Sequence, residues 1–254
     1  MQEGVKGVKM TYQPVFIEGE SRPGRWCITC DHAHATVPEF VNGGDLGLPA
    51  ADMARHIAFD IGALGVARAL GAALDSPVIW SNFSRLVIDP NRGEDDPTLM
   101  MRLYDGTLIP ANRHAGPQEL QERLQRCYHP YHTAVGELMA RPNAVHLSIH
   151  SFTPQLKGRA PRPWQIGILS AHDKRLTDPL LARLTREPDL TVGDNEPYWG
   201  HLRGDAVDRH ALQHGRPNAL IELRQDLIAK EADQLDWANR LAPILDETLA
   251  ATNL

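Results

Sequence analysis

The run Leu147-Ser148-Ile149-His150-Ser151-Phe152 constrains the fold most. It is apolar and β-favouring, it ends in a histidine and a serine, and a Pro/Gly-rich loop follows. Such a run reads as a buried strand that presents a polar side chain at its carboxyl end, where open α/β sheets keep their sites. Two further runs share the design. Trp26-Cys27-Ile28-Thr29-Cys30 leads into Asp31-His32-Ala33-His34, and Leu220-Ile221-Glu222-Leu223-Arg224 carries a carboxylate inside an apolar strand. A lone buried His or Glu is ordinarily a hydrogen-bonded structural residue. Two strand-end histidines with an embedded Glu point instead to a hydrolytic metal site.

Helical patterns fill the gaps between these strands. Pro49 opens a long helix expected over about 50–74, with Met53, Ile57, Ile61, Leu64 and Leu70 in its stripe. Val78–Trp80 and Leu86–Ile88 read as short strands, and residues 90–117 as a long functional loop rich in Pro, Gly, Asn and Asp. A helix at about 117–140 should kink at Pro130. Further strands are expected at 165–169 and 218–224, helices near 176–186 and 205–214, and an amphipathic helix closes the chain. The alternation predicts one three-layer α/β domain over residues 25–254, preceded by an irregular arm at 1–24.

Composition narrows the partners. A net charge of −6 with no basic stripe argues against nucleic acid, and no apolar run approaches the ~20 residues that span a bilayer. The amino terminus lacks a signal-peptide core and the three cysteines make no disulfide framework, so a reducing cytoplasm is expected. Cys27 and Cys30 form a C-x-x-C inside a strand, where small buried hydrophobes are expected rather than a redox pair.

Three protein ligands and an open position make a hydrolytic zinc site. His32 and His150 are the best ligands, and His34, His56, Asp60 and Asp31 compete for the third place. His56 and Asp60, four apart, should share one helix face. Asp60 sits in the apolar stretch Ile57-Ala58-Phe59-Asp60-Ile61, where an unpaired acid needs a cation. By alternation Glu222 faces away from Ile221 and Leu223, placed either to move a proton or to pair with Arg224. Arg85 and Arg92 flank an apolar run, and the guanidinium fork matches a carboxylate, so an acidic small molecule is the expected substrate.

These segments together resemble the N-formylglutamate amidohydrolase family: CDHAHATVP, RHIAFDIGALGVARAL, SRLVIDPNR, SIHSFTP, RPWQIGIL, GDNEPY and IELRQDLI occur in the family's order from about residue 26 to 240. The resemblance implies a mixed central sheet with helices on both faces, similar to zinc carboxypeptidases and aspartoacylase. It implies zinc ligation by His32 and His150, a general base at Glu222, an oxyanion or carboxylate contact at Arg85, and a carboxylate clamp at Asn91-Arg92. The carboxypeptidase-type pattern places a Glu three residues after the first His. Here that position is Ala35, so Asp60 is taken as the remaining ligand. The expected reaction is zinc-dependent cleavage of an N-formyl or N-acyl amino acid, N-formyl-L-glutamate first, in histidine breakdown. The rivals are a zinc carboxypeptidase on short peptides and a non-catalytic metal- or metabolite-binding relative.

Overall fold

The computed structural model describes residues 12–254. In chain order its elements are β1 (Val15–Glu18), β2 (Trp26–Cys30), α1 (Ala50–Met53), α2 (Ala63–Ala73) and β3 (Val78–Ser81). A small hairpin follows, β4 (Leu103–Tyr104) and β5 (Thr107–Leu108), then α3 (Pro110–Arg113), α4 (Pro117–Arg123), a π-helical turn (Leu124–Tyr128) and α5 (His129–Met139). The second half runs β6 (Val145–Phe152), β7 (Ile166–Leu169), α6 (Thr177–Leu184), β8 (Val192–Asp194), α7 (Ala206–His210), β9 (Asn218–Arg224) and α8 (Glu231–Ala251). No described helix is long and apolar enough to cross a membrane.

Seven strands form one mixed sheet in the order β1-β3-β2-β6-β9-β7-β8. The centre, β3-β2-β6-β9, is parallel; β1 joins antiparallel to β3, and β7 antiparallel to β9. Every residue of β2 and β6 is buried, the polar Thr29, His146, Ser148, His150 and Ser151 included. Strand alternation sorts their side chains. Ile28, Leu147, Ile149, Ala219 and Ile221 face the apolar layer built with α2, α6 and α8. Each fully buried Ile or Leu among them contributes roughly 1.5–3 kcal/mol. The opposite face carries Cys27 and Ile79 against Tyr128, Tyr131 and Val135 from the helical segment 117–139. On that face β6 presents His146, Ser148 and His150, so its carboxyl end is polar where the other face is greasy.

Four expectations are corrected. The stretch read as an irregular arm contains β1, whose Phe16 pairs with Trp80; residues 1–11 of that stretch lie outside the described residues. The long helix over 50–74 is two helices separated by turns at 54–62. Gly62 breaks it: its φ is +80°, and a Cβ there would lie 2.1 Å from the Ile228 carbonyl oxygen. Leu86–Ile88 is buried but forms no strand, because Val87 N–H bonds back to Ser84 O at 2.9 Å and Leu86 N–H to Ser84 Oγ at 3.1 Å, which closes a turn. Pro130 sits in the first turn of α5, just after the π-helical turn has opened the hydrogen-bond ladder, so its missing N–H is accommodated there.

Candidate active site

β2, β6 and β9 run parallel, so their carboxyl ends open on the same edge of the sheet. His32 follows β2 by two residues and His150 lies near the end of β6. Their rings stand edge-to-face with centroids 4.9 Å apart. Asp60 reaches them from the turns between α1 and α2, where its N–H bonds to His32 O at 2.8 Å. The helix break therefore has a consequence: a continuous helix would aim Asp60 with His56, whereas the turns aim it at the histidines. Asp60 Oδ2 lies 3.2 Å from His32 Nδ1 and 2.8 Å from His150 Nδ1. The three donor groups converge and all are buried.

The outer ring nitrogens are held by two more carboxylates. His32 Nε2 is 2.7 Å from Asp89 Oδ1, and His150 Nε2 is 3.1 Å from Asp31 Oδ2. Asp31 is in turn the acceptor for the Tyr131 hydroxyl, and Asp89 accepts from Asn91 N–H at 2.9 Å. Arg85 spans the pair of acids on the other side, 2.8 Å from Asp89 Oδ2 and 3.4 Å from Asp60 Oδ1. An imidazole fixed on its outer side by a carboxylate is how a metal-binding histidine is oriented.

Charge balance tests whether a cation fits. Asp31, Asp60 and Asp89 are 0–4 % exposed, and Arg85 is the one guanidinium paired with them. With neutral imidazoles the cluster is two negative charges in excess, which burial makes costly. Either a divalent cation or two imidazolium rings restores neutrality. Burial opposes charging His150, but the hydrogen bonds to Asp31 and Asp60 hold its pKa well above the ordinary value. Burial likewise pushes the Asp60 carboxyl up, and His32 and His150 more than offset it, leaving its pKa below the ordinary range. The His-Asp-His group is thus one that can hold a metal ion.

Glu222 is the register partner of His150 on the adjacent parallel strand, so both side chains leave the same face. It is 6 % exposed, lines the cavity, and its Oε2 has no hydrogen-bond partner among the described residues. Burial pushes its pKa up to about 7. The alternative of an ion pair with Arg224 does not occur, since Arg224 pairs with Asp226 at 2.9 Å. Across the sheet Glu222 faces Gly167, where a Cβ would lie 2.0 Å from the Glu196 carbonyl oxygen. That missing side chain lets the 194–202 loop lie on β7. Asn195 then folds the loop, its Oδ1 accepting from Ser170 N–H and Gly200 N–H, both at 3.0 Å.

The cavity has a volume of about 250 Å³. Its floor holds His32, Asp60, His150, Glu222 and Arg85; Asn91, Arg92 and Tyr104 form one wall, and Phe152, Leu169, Tyr198, Trp199 and Leu220 another. All seven residues singled out as catalytic, substrate-binding or metal-binding line it. Of the competing ligands, His56 lines the cavity 3.5 Å from Asp105, and Asp31 stands behind His150. Neither they nor His34 belongs to the converging group. Arg92 donates to Asn91 O at 2.7 Å and Thr98 Oγ1 at 3.2 Å and meets no carboxylate among the described residues. Sequence reasoning weighed Asp31 as a ligand, whereas it supports His150 from behind, and it missed the supporting acid Asp89, the Tyr131 hydroxyl and the Tyr198–Leu202 wall. Asp31 and Asp89 had a signal, each lying within a site motif; Tyr131 resembled an ordinary helix-stripe residue.

Comparison with known proteins agrees with this geometry. No curated protein matches the chain. Among solved structures, a gene product from Agrobacterium tumefaciens is 36% identical over 94% of this chain and 96% of its own, with a TM-score of 0.89. An N-formylglutamate amidohydrolase from Ralstonia eutropha shares the fold at 22% identity, over 94% and 99% of the two chains, with a TM-score of 0.57. A bacteriophage poly-gamma-glutamate hydrolase shares it more distantly, at 10% identity over 96% and 93%, with a TM-score of 0.50. The family model for N-formylglutamate amidohydrolase matches residues 24–229, which contain the whole constellation from His32 to Glu222, and the chain therefore belongs to that family of amide-bond hydrolases.

Proposed function

We propose that the chain hydrolyses the acyl amide of an N-formyl or N-acyl amino acid, foremost N-formyl-L-glutamate, to formate and glutamate, with a zinc ion held by His32, Asp60 and His150. The observation that carries the reading is Glu222: a buried carboxylate with one oxygen unpartnered, beside a charge-deficient His-Asp-His cluster, in a cavity of about 250 Å³. That volume suits an amino-acid-sized ligand better than a peptide, which favours this reading over a carboxypeptidase. The family and the Ralstonia eutropha protein, named for this activity, support the substrate.

Two imidazoles and one carboxylate suit zinc, and the chemistry zinc supplies there is Lewis acidity that polarises a carbonyl and makes water more acidic. The chain's own groups do the rest. Glu222 accepts a proton from the attacking water and returns it to the departing amide nitrogen, and its burial, which raises its proton affinity, suits it to both. Arg85 keeps a buried Nε without a partner while its other nitrogens hold Asp60 and Asp89, so one donor remains for the oxyanion that develops on the acyl oxygen. Asn91 Oδ1 is engaged by Ala206 N–H at 3.2 Å, which leaves its amide nitrogen, with the guanidinium of Arg92, to receive the α-carboxylate.

We place this chemistry in the cytoplasm, in histidine breakdown; three buried cysteines without a disulfide suit a reducing compartment. The test is formate release from N-formyl-L-glutamate, N-acetyl-L-glutamate and a dipeptide amide by zinc-loaded protein, with metal analysis of the same sample. Formate release restored to chelated protein by zinc supports the reading. Cleavage confined to the peptide, or turnover unaffected by chelation, refutes it.

A further inference from the structure

The α-carboxylate clamp proposed for Asn91 and Arg92 is held from behind by a short helix and a buried tyrosine. Arg92 NH1 donates to Asn91 O at 2.7 Å, so the guanidinium rests on its own backbone and moves with it. That backbone is fixed from several sides. Asn91 N–H bonds to Asp89 Oδ1 at 2.9 Å, and Asn91 Oδ1 accepts from the N–H of Ala206, the first residue of α7, at 3.2 Å. Gly93 and Gly204 pass closely: a Cβ on Gly204 would lie 2.7 Å from Gly93 Cα, and one on Gly93 would lie 2.8 Å from Arg203 O. From the remaining side the Tyr128 hydroxyl donates to Arg92 O at 2.7 Å.

Tyr128 is fully buried and closes the π-helical turn Leu124–Tyr128, a departure from α-helix that is frequent at functional sites. Its oxygen accepts from Arg209 NH2 at 2.9 Å, and the Arg209 guanidinium carbon lies 5.3 Å from its ring centre. A cationic donor on the oxygen polarises the O–H and strengthens the bond it gives to Arg92 O. Burial pushes the phenol up to about 12, so the hydroxyl keeps the proton it donates. Arg209 also reaches Glu94 Oε1 at 3.5 Å, two residues beyond Arg92. α7 is itself pinned to α5: His132 Nδ1 lies 2.9 Å from His210 Nε2, and the His132 ring packs edge-on against Tyr128 with centroids 4.3 Å apart. Tyr128 therefore joins the π-helical turn, α7 and the clamp loop at one atom. The hydrogen bonds of its hydroxyl go to none of His32, Asp60, His150 or Glu222.

We propose that Tyr128, with Arg209 behind it, is a positioning residue for substrate recognition: its hydroxyl sets the Asn91–Arg92 backbone so that both side chains meet the substrate's α-carboxylate. This rests on the amidohydrolase reading for the identity of the clamp. It gives the π-helical turn and α7 a part in affinity and none in the chemical step.

The experiment uses zinc-loaded wild type, Tyr128→Phe, Arg209→Gln and Arg209→Lys. Calorimetry compares the binding of L-glutamate with that of its α-amide, and formate release compares N-formyl-L-glutamate with its α-amide. Tyr128→Phe keeps the ring and removes the hydroxyl. Its affinity for L-glutamate should fall about 2- to 10-fold, the weight of one neutral hydrogen bond. KM for N-formyl-L-glutamate should rise by a similar factor while kcat stays within about two-fold of wild type. The α-amides should bind wild type and variant alike. Arg209→Gln should show the same pattern at smaller amplitude, and Arg209→Lys, which can still donate to the hydroxyl, should recover it. A merely structural role would weaken acid and amide together and lower kcat. That outcome, an unchanged L-glutamate affinity in Tyr128→Phe, or no preference for acid over amide in wild type overturns the proposal. If Tyr128→Phe does not fold, the two Arg209 variants decide by the same criteria. Failure of the amidohydrolase reading looks different: no compound releases formate in any of the proteins, while the ratio of acid to amide binding still reports on Tyr128.

Discussion

Replacing Glu222 by Gln should stabilise the metal-free protein while removing its activity, and the gain should grow with pH in a calculable way. Glu222 is buried with one oxygen unpartnered, and its pKa stands at about 7 against an ordinary value of 4.5. The folded-state pKa is raised, so the folded state prefers the protonated acid. Stability linked to this group is complete below pH 4.5, declines as pH rises through the window from 4.5 to 7, and is level above it. At about 1.4 kcal/mol per unit, the ionisation penalty is near zero at pH 4, about 1 kcal/mol at pH 5 and about 3 kcal/mol at pH 8. Gln matches the shape of the protonated acid and never ionises. The variant should therefore gain about 3 kcal/mol relative to wild type between pH 4 and pH 8, whatever constant offset its amide introduces.

Differential scanning calorimetry of chelated samples measures this directly. For a chain of this size roughly 2–4 °C accompanies each kcal/mol, so the difference in Tm should widen by about 6–12 °C across that range. A difference independent of pH would mean that Glu222 ionises in the folded protein as freely as in the unfolded chain, and the argument for a desolvated base would fall. A gain that shrinks as pH rises would reverse its sign and refute it outright. In the zinc-loaded enzyme the same variant should lose roughly 10²–10⁴ in rate while zinc content stays near wild type.

Three further outcomes follow from the same geometry. Arg92→Lys should lower kcat/KM for the N-formyl amino acid by about 10- to 150-fold, because a point charge cannot make the two-pronged pair; replacing the substrate's α-carboxylate by an amide should cost wild type a similar factor and the variant much less, and additive losses would disprove contact. His32→Ala and His150→Ala should each strip zinc from the purified protein by elemental analysis, whereas His34→Ala and His56→Ala should retain it; the reverse pattern would overturn the ligand set. Asp89→Asn should weaken zinc binding by about 10- to 100-fold in chelator competition, since its carboxylate orients His32, and an unchanged affinity would make that contact incidental.

The parts of the site that lie on strands were legible, because alternation in a strand is local. His150 and Glu222 could be read as facing residues from the apolar positions around them, and the register pairs them across β6 and β9. Asp60 was legible by chemistry but not by geometry. An acid in an apolar stretch announced a cation, yet the stripe of Met53, Ile57, Ile61 and Leu64 mimicked a helix that Gly62 breaks through packing against Ile228, a residue far along the chain. Leu86–Ile88 failed for the opposite reason: its apolar side chains are buried as in a strand, but the Ser84 hydroxyl and carbonyl capture the backbone into a turn.

What no local pattern carries is the charge account. Asp31, Asp60 and Asp89 come from three separate segments, and each alone is an ordinary acid that water or a nearby Lys would satisfy on a surface. Folding places all three around His32 and His150 with Arg85 as their guanidinium partner. The excess of two negative charges exists only in that arrangement, and so does a buried group that can hold a divalent cation. The same accounting explains why Arg85 is held by carboxylates where Arg92 meets none among the described residues. Arg85 is part of the neutralisation that lets the acids be buried, with one Nε to spare, so removing it should disturb the cluster before it disturbs recognition. Arg92 pairs with no carboxylate among the described residues; its hydrogen bonds go to Asn91 O and Thr98 Oγ1.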